Sequence, residues 1–509
     1  LRWKDELNGD SRLGMKKTAG LSAAAWCVIA VSALYWVCAS LRAVYKPLWY
    51  DELLTTYVSQ LPTLRASWEA VASGVDSQLP MMHIFVRVAH VLLGYGSLAT
   101  RLPMMLGFWI MQLSLLTFLG RRLEWRYAVI GMIFPMLTFA WPYAFEARAY
   151  GIVLGCAGAI LVAWQNAAEG RWRRWSLAAI AVSFGVVLAC HPTAGVIALP
   201  FAAGELVRVW ERRRVDWPMS VAFLVTAPIL MIYPPLLSNV RNLDLHGLQP
   251  SLASLSGFYS DALKSSITPL LAAGIATLMA RGKDGTGGPA CAMPIRELVV
   301  LSGFVAVPIP FFAAGHFSSH FLFFPRYAVT CVIGVAGLAA VAWQRMAGGS
   351  KRAGGAALVI LIAWLALARG KEAMSATRDP GRQFRENHEG LVVALAAGKP
   401  VATWNINTFL EADFYLNSEE LSRLHYVVPE QELGRKYRFQ DLNSYVAPLL
   451  GRIAPLRARV TPWSQFEHVG PFLWHEEGIP SWWEEALVGW KKRVDFRHDG
   501  EYVWAVERP

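Results

Sequence analysis

Charge is scarce in this sequence. Asp, Glu, Lys and Arg together make up 17% of its 509 residues, whereas hydrophobic side chains make up 55%. Apolar stretches of about 17–25 residues recur along the chain, which defines a polytopic membrane protein with a soluble part. Cysteine is also sparse: Cys27, Cys38, Cys156, Cys190, Cys291 and Cys331 are all there is. None lies in the C-terminal segment, so that segment does not depend on disulfides. No Cys-x-x-Cys pair exists to form a thiolate metal site or a redox motif, and the thiols read as apolar packing groups. The glycine run Gly282–Gly288 lacks the Gly-Lys-Ser/Thr ending of a P-loop and no Walker motif occurs elsewhere, which argues against an ATP-driven transporter; it and Gly348–Gly355 read as flexible linkers. No basic stripe with interleaved aromatics occurs, so the formal net charge of +11 does not signal nucleic acid.

The basic residues fall instead in short segments between apolar stretches, as cytoplasmic loops require. The clusters are Lys16-Lys17, Arg121-Arg122 with Arg126, Arg171 with Arg173-Arg174, Arg208 with Arg212 to Arg214, Arg281 with Lys283, and Arg345 with Lys351-Arg352. Placing them all on one side predicts about eleven spans, near 22–44, 98–120, 127–144, 150–166, 175–191, 193–209, 218–237, 267–281, 296–314, 327–344 and 354–369. The apolar stretch 78–95 carries His83, Arg87 and His90 and reads as an interfacial or re-entrant helix. Residues 1–21 form a cytoplasmic tail in which Met15 looks like the natural start. The first apolar stretch, roughly twenty residues, reads as an uncleaved anchor because it exceeds an h-region of about 7–15.

The fold class is therefore an α-helical membrane body, 22–369, with interfacial helices in its first extracytoplasmic loop, 45–97. A small α/β domain, 370–509, follows on the same side. Its expected strands are Pro400–Trp404, Leu424–Val428 and Tyr502–Val506, with helices near 383–397, 408–416 and 481–492. In the loop, Leu53, Leu54, Tyr57, Val58 and Leu61 follow helical spacing, continued by Leu64, Trp68 and Val71, and predict amphipathic helices along the membrane surface.

Two adjacent carboxylates, Asp51-Glu52, open that loop at the edge of the bilayer, where charge is costly. One reading is capping of the helix that follows; the other is a general base. The topology brings further polar residues to the same rim. Glu146 and Arg148 could pair locally or bind substrate, and His191 could be a polar helix end or a site residue. Asp244, His246 and Asp261 sit in an outer loop. His316 and His320, at i,i+4, are weak candidates for a metal; a divalent ion as cofactor is left open. Arg326 could snorkel to water or hold a phosphate. A carboxylate with cations at a bilayer rim suits group transfer from a membrane-embedded phosphate donor: the carboxylate deprotonates an acceptor hydroxyl and the cations stabilise the departing phosphate. The non-enzymatic alternative is a lipid transporter or a multi-span scaffold; a transporter would bury charges near mid-span, and most spans are apolar through their centres.

At these residues the chain resembles the GT-C superfamily of membrane glycosyltransferases, in its bacterial protein-O-mannosyltransferase-like branch, which includes lipopolysaccharide-core and aminoarabinose transferases. The resemblance rests on Asp51-Glu52 after the first span, Arg101-Leu102-Pro103, Gly120-Arg121-Arg122, Glu146-Ala-Arg-x-Tyr150 and Pro325-Arg326-Tyr327, in order over roughly 22–345. Asp76 to His83 matches the branch's Asp-x-His-Pro-Pro-Leu-Tyr-Tyr only in part, with Gln78 and Leu79 in place of His-Pro; Phe145 stands where Gln is common. The resemblance implies a polyprenyl-phosphate sugar donor and an inverting transfer to a glycan, lipid or protein acceptor. It also implies a bacterial inner-membrane location with the active site outside the cytoplasm. Asp51 is the expected base, with Glu52 orienting or supporting; Arg148, Arg326 and Tyr327 would hold donor phosphate, and Asp76, His83, Glu146, Tyr150 and His191 would line the substrate site. An oligosaccharide ligase with a lipid-diphosphate donor is the alternative.

Overall fold

The computed structural model describes residues 22–508 apart from 77, 235, 237–248, 281–292, 319–320, 322, 376, 430–455, 457–458, 478–481 and 499. The expected roles of the N-terminal tail, Asp244, His246, His320 and the first glycine linker lie outside the described residues.

An apolar helix stands at each of the eleven positions expected to span. Six are long and apolar enough to cross a membrane: α1 (Ala23–Tyr45), α5 (Ser97–Leu119), α7 (Tyr150–Ala168), α8 (Arg173–Cys190), the stretch Pro192–Arg212 containing α9 (Ala198–Arg212), and α16 (Lys351–Ser375). Two further positions hold bent pairs: α11 (Leu252–Lys264) with α12 (Ile267–Ala280), and α13 (Ile295–Val305) with α14 (Pro308–Phe317). Each second helix has a proline within its first three residues, which stops one straight helix from continuing. The remaining positions hold shorter apolar helices: α6 (Trp125–Ile133) with its 3-10 extension to Leu137, α10 (Trp217–Leu224) with an extension to Ile232, and α15 (Cys331–Met346).

The loop between the first two long helices contains α2 (Tyr50–Gln60), α3 (Leu64–Ala72) and α4 (Pro80–Leu93). At 14 residues α4 is, like α6, α10 and α15, shorter than the ~20 residues of a straight span.

Glycine decides how closely α5 and α7 approach. A Cβ on Gly107 would lie 2.3 Å from the Gly151 carbonyl oxygen, and one on Gly155 would lie 2.5 Å from that of Gly107. Only hydrogen side chains permit this backbone contact, the usual device for joining helices in lipid. It also fixes the separation of Arg101, in the first turns of α5, from Arg148, just ahead of α7.

The C-terminal segment folds as α17 (Pro380–Asn387), α18 (Glu389–Ala396), β1 (Val401–Thr403), α19 (Ile406–Tyr415), β2 (Leu424–Val428), β3 (Val460–Pro462), β4 (Phe472–Glu477), β5 (Lys491–His498) and β6 (Glu501–Glu507). The sheet order is β3-β2-β1-β4-β6-β5; the first four strands are parallel, β6 runs antiparallel to β4, and β5 runs antiparallel to β6. The three expected strands are present. The helix expected over 481–492 is a single turn, Trp483–Ala486, after which the chain enters β5.

The loop helices depart from expectation in what covers them. Leu53, Leu54, Tyr57, Val58 and Leu61 do not face lipid: they share one buried core with Phe384, Phe409, Leu410 and Tyr426 of the C-terminal segment. An apolar stripe with helical period needs only to leave water, and here a protein surface satisfies it. Three polar links reinforce the contact: Leu48 N–H donates to Tyr415 Oη at 2.7 Å, Gln383 donates to the Tyr45 carbonyl at 3.3 Å, and the Tyr57 hydroxyl donates to Asp413.

Candidate active site

The chain leaves α1 through Lys46-Pro47 and re-enters helix at Tyr50, so Asp51 and Glu52 occupy the first turn of α2. Their side chains diverge. Glu52 turns inward: its Oε2 accepts from Trp49 N–H at 3.4 Å, a capping interaction. Its stronger partners are Arg101, whose Nε and Nη2 donate to the two carboxylate oxygens at 2.8 and 2.5 Å, and Ala147 N–H at 2.6 Å. Arg101 spends its remaining donors on the carbonyls of Ala43, Lys46 and Pro47. Both side chains are fully enclosed. Burial pushes the Glu52 carboxyl up, but the charge and hydrogen bonds of Arg101, with Lys46 and the Ala147 amide, more than offset it and leave it below the usual range.

Asp51 faces the open side and keeps 16% of its side chain exposed. Two guanidiniums bracket its Oδ2: Arg148 Nε at 3.6 Å and Arg326 Nη1 at 3.7 Å. Burial raises the Asp51 pKa above the ordinary carboxylate value; Arg148 and Arg326 oppose that rise and Asp76 adds to it. A carboxylate with a raised pKa is a stronger proton acceptor than a free one, as a general base requires.

Asp76 supports this arrangement from behind. Its Oδ1 accepts from Arg148 Nη1 at 3.0 Å and from Gln78 N–H at 3.0 Å; its Oδ2 accepts from the Thr55 hydroxyl at 3.0 Å. His83 Nε2 lies 3.6 Å from the same oxygen, and its Nδ1 is 3.3 Å from the Ser59 hydroxyl. Burial pushes Asp76 up, yet Arg148, His83 and these hydrogen bonds hold it below the usual range. Burial lowers the His83 pKa, so its ring is neutral near pH 7. Arg148 therefore sits between a half-buried Asp and a fully buried one, with its own pKa raised: burial works against its charge, and the two carboxylates overcome it.

Arg326 closes the site. Its guanidinium lies 4.7 Å from the Phe324 ring centre, and its Nε is buried with no hydrogen-bond partner among the described residues. Tyr327, His191 and Tyr150 form an aromatic wall beside it, with ring centres 5.5 and 5.3 Å apart. His191 Nδ1 also accepts from Thr193 N–H at 3.3 Å, so the helix-end reading and the wall are both realised. Glu146 is buried enough to raise its pKa, opposed by Lys46, at the edge of the same cluster.

Asp51, Glu52, Asp76, His83, Glu146, Arg148, Tyr150, His191, Arg326 and Tyr327 thus converge. His316 does not join them; its Nδ1 is 3.1 Å from the Pro250 carbonyl oxygen. Among the described residues no group of three His, Cys, Asp or Glu is placed to hold a metal ion. Asp261 is exposed on α11. The residue that sequence reasoning passed over is Arg101, noticed only as part of Arg-Leu-Pro; a charged side chain inside an otherwise apolar span was the available signal.

No protein-family model matches the sequence, and no curated protein matches it well enough to count as a relative. Solved structures do match in shape. The chain superimposes on the crystal structure of ArnT from Cupriavidus metallidurans in the apo state, with a TM-score of 0.59 and 14% identity over 95% of this chain and 98% of that one. A second ArnT structure from the same organism, bound to undecaprenyl phosphate, gives a TM-score of 0.55 at 16% identity with the same coverage. The chain is a multi-pass membrane protein with the ArnT fold.

Proposed function

We propose that this protein is an integral-membrane glycosyltransferase that moves a sugar from a polyprenyl-phosphate donor to an acceptor hydroxyl on the extracytoplasmic side of a bacterial inner membrane. The observation that carries the reading is the Asp51 carboxylate, partly open and flanked by two guanidiniums on a single oxygen. A base and a phosphate clamp within one site are what such a transfer needs. The shared fold adds weight, because ArnT has been captured with undecaprenyl phosphate.

In this mechanism Asp51 takes the proton of the acceptor hydroxyl as its oxygen attacks the anomeric carbon. The bond from that carbon to the phosphate oxygen breaks, and the lipid phosphate leaves with both electrons. Arg326, with a buried Nε–H still uncommitted, contacts the phosphate, while Arg148 lends positive charge from behind Asp51 and holds it in place. The Tyr150–His191–Tyr327 wall packs against the substrate. The attack comes from the face opposite the leaving group and inverts the anomeric centre.

The test is sugar transfer by purified, reconstituted protein from mono- and diphosphate-linked polyprenyl donors, side by side. Transfer from the monophosphate donor that disappears in Asp51→Asn supports the proposal; undiminished transfer in that variant refutes Asp51 as base, and transfer from the diphosphate alone makes the protein a ligase.

A further inference from the structure

A charged cavity lies at the other end of the helix bundle from Asp51. It occupies about 410 Å³ where the start of α8, the end of α9 and the start of α10 meet. The α8 helix links the two ends: His191, directly after it, belongs to the aromatic wall, whereas Arg173, its first residue, lines this cavity. Eighteen residues of helix place the two sites roughly 27 Å apart.

Four arginines line the cavity: Arg173, Arg208, Arg212 and Arg214. The two carboxylates there are already engaged. Asp216 accepts from Arg173 at 2.5 Å and from Arg208 at 2.6 Å, and Glu205 accepts from Arg208 at 2.7 Å. Arg208 is 1% exposed, and its Nε has no hydrogen-bond partner among the described residues. Arg212 donates to the Ala168 carbonyl, and neither it nor Arg214 contacts a carboxylate among the described residues. Two positive charges are therefore in surplus at the cavity mouth. The intervening Arg213 adopts φ +55°, a left-handed turn after which its neighbours, rather than Arg213 itself, line the cavity.

The surroundings indicate the source of the matching anion. Trp172, Trp175, Trp210 and Trp217 are all exposed around these helix ends. Indole rings at span termini sit at headgroup level, so the surplus arginines lie at the depth of lipid phosphates. A basic pocket between helices at that depth suits an acidic headgroup. We infer that this cavity binds the phosphate of an anionic phospholipid in the leaflet opposite the Asp51 site.

The test uses the full chain, purified and given an equal mixture of phosphatidylglycerol and phosphatidylcholine, with retained lipids counted by native mass spectrometry. Phosphatidylglycerol should be retained preferentially, and the preference should weaken as salt rises. The double variant Arg212→Gln/Arg214→Gln should lower the retained ratio about thirtyfold, and Arg214→Gln alone about fivefold. Arg65→Gln, at an exposed arginine in the first loop, should leave it unchanged. Because the readout is a ratio of two lipids on folded protein, partial unfolding does not imitate the effect. If the double variant loses homogeneity, the single variant carries the test. An unchanged ratio in Arg214→Gln, or equal retention of both lipids by the wild type, overturns the inference. Full displacement of the lipid by about 10 mM inorganic phosphate would assign the site to a soluble anion and also overturn the lipid source.

Discussion

Arg101 and Glu52 lie 49 positions apart and meet through two parallel hydrogen bonds, with neither side chain exposed to solvent. The pair ties the start of α5 to the first turn of α2 and leaves Asp51, its neighbour, facing the opening. Glu52 is thus the buried anchor of the Asp-Glu pair, which leaves Asp51 available for the base role proposed above. Such a pair resists unilateral change, because removing one partner strands a buried charge. Arg101→Met is expected to lose about 3–5 kcal/mol of stability, read as a fall in detergent-solution Tm, whereas Arg101→Met with Glu52→Leu recovers much of it. Equal losses in the single and double variants would contradict this account.

The same pair sets an acid limit on the fold. The folded Glu52 pKa lies below its ordinary 4.5, so the pair's contribution is complete above about 4.5 and is lost as pH falls through the depressed value. Tm measured from pH 7 downward should hold until below 4.5. In Glu52→Gln this particular loss should be absent from a lower starting Tm.

Asp51 shifts the other way, and activity should report it. A base must be deprotonated, so kcat/KM is expected to fall as pH drops through the raised Asp51 pKa. Arg326 opposes that rise, so Arg326→Gln should move the acid limb to higher pH and raise the donor KM more than the acceptor KM. A limb that moves lower, or equal changes in both KM values, would separate Arg326 from Asp51 and from the phosphate.

Several parts of this arrangement were legible in the sequence because charge at a bilayer edge has few uses. Asp51-Glu52, Glu146-Ala-Arg-x-Tyr150 and Pro325-Arg326-Tyr327 fall at helix ends, and their expected placement on one side was enough to group them. The Arg101–Glu52 pair was not legible, since periodicity carries no information about which distant side chain a carboxylate will meet. The partner of α2 was equally hidden: Leu53, Leu54, Tyr57 and Val58 repeat at the same spacing whether lipid or protein covers them. In the C-terminal segment, β5 is an edge strand of Lys, Arg, Asp and His with few apolar residues. Charged edges suit exposed strands but erase the alternation by which a strand is recognised, so a helix was expected to run into it.

The contact between α2 and the C-terminal segment predicts that the segment positions Asp51 for the proposed transfer. The helix that carries Asp51 packs one face against Phe409 and Leu410 of α19, and the Tyr57 hydroxyl reaches Asp413 on the same helix. Arg459 pairs with Asp413 from the other side, so the carboxylate joins the loop helix to the sheet. Tyr57→Phe removes one donor, while Asp413→Asn weakens both contacts. In a double-mutant cycle the two changes should couple by about 0.5–3 kcal/mol in thermal or denaturant unfolding. Sugar transfer should fall in each single variant although every residue around Asp51 is intact, with kcat affected more than the donor KM. The reason is that binding through Arg326 survives while the base is held less firmly. Additive stabilities, or wild-type kcat in Asp413→Asn, would show that the C-terminal segment rests on α2 without positioning it.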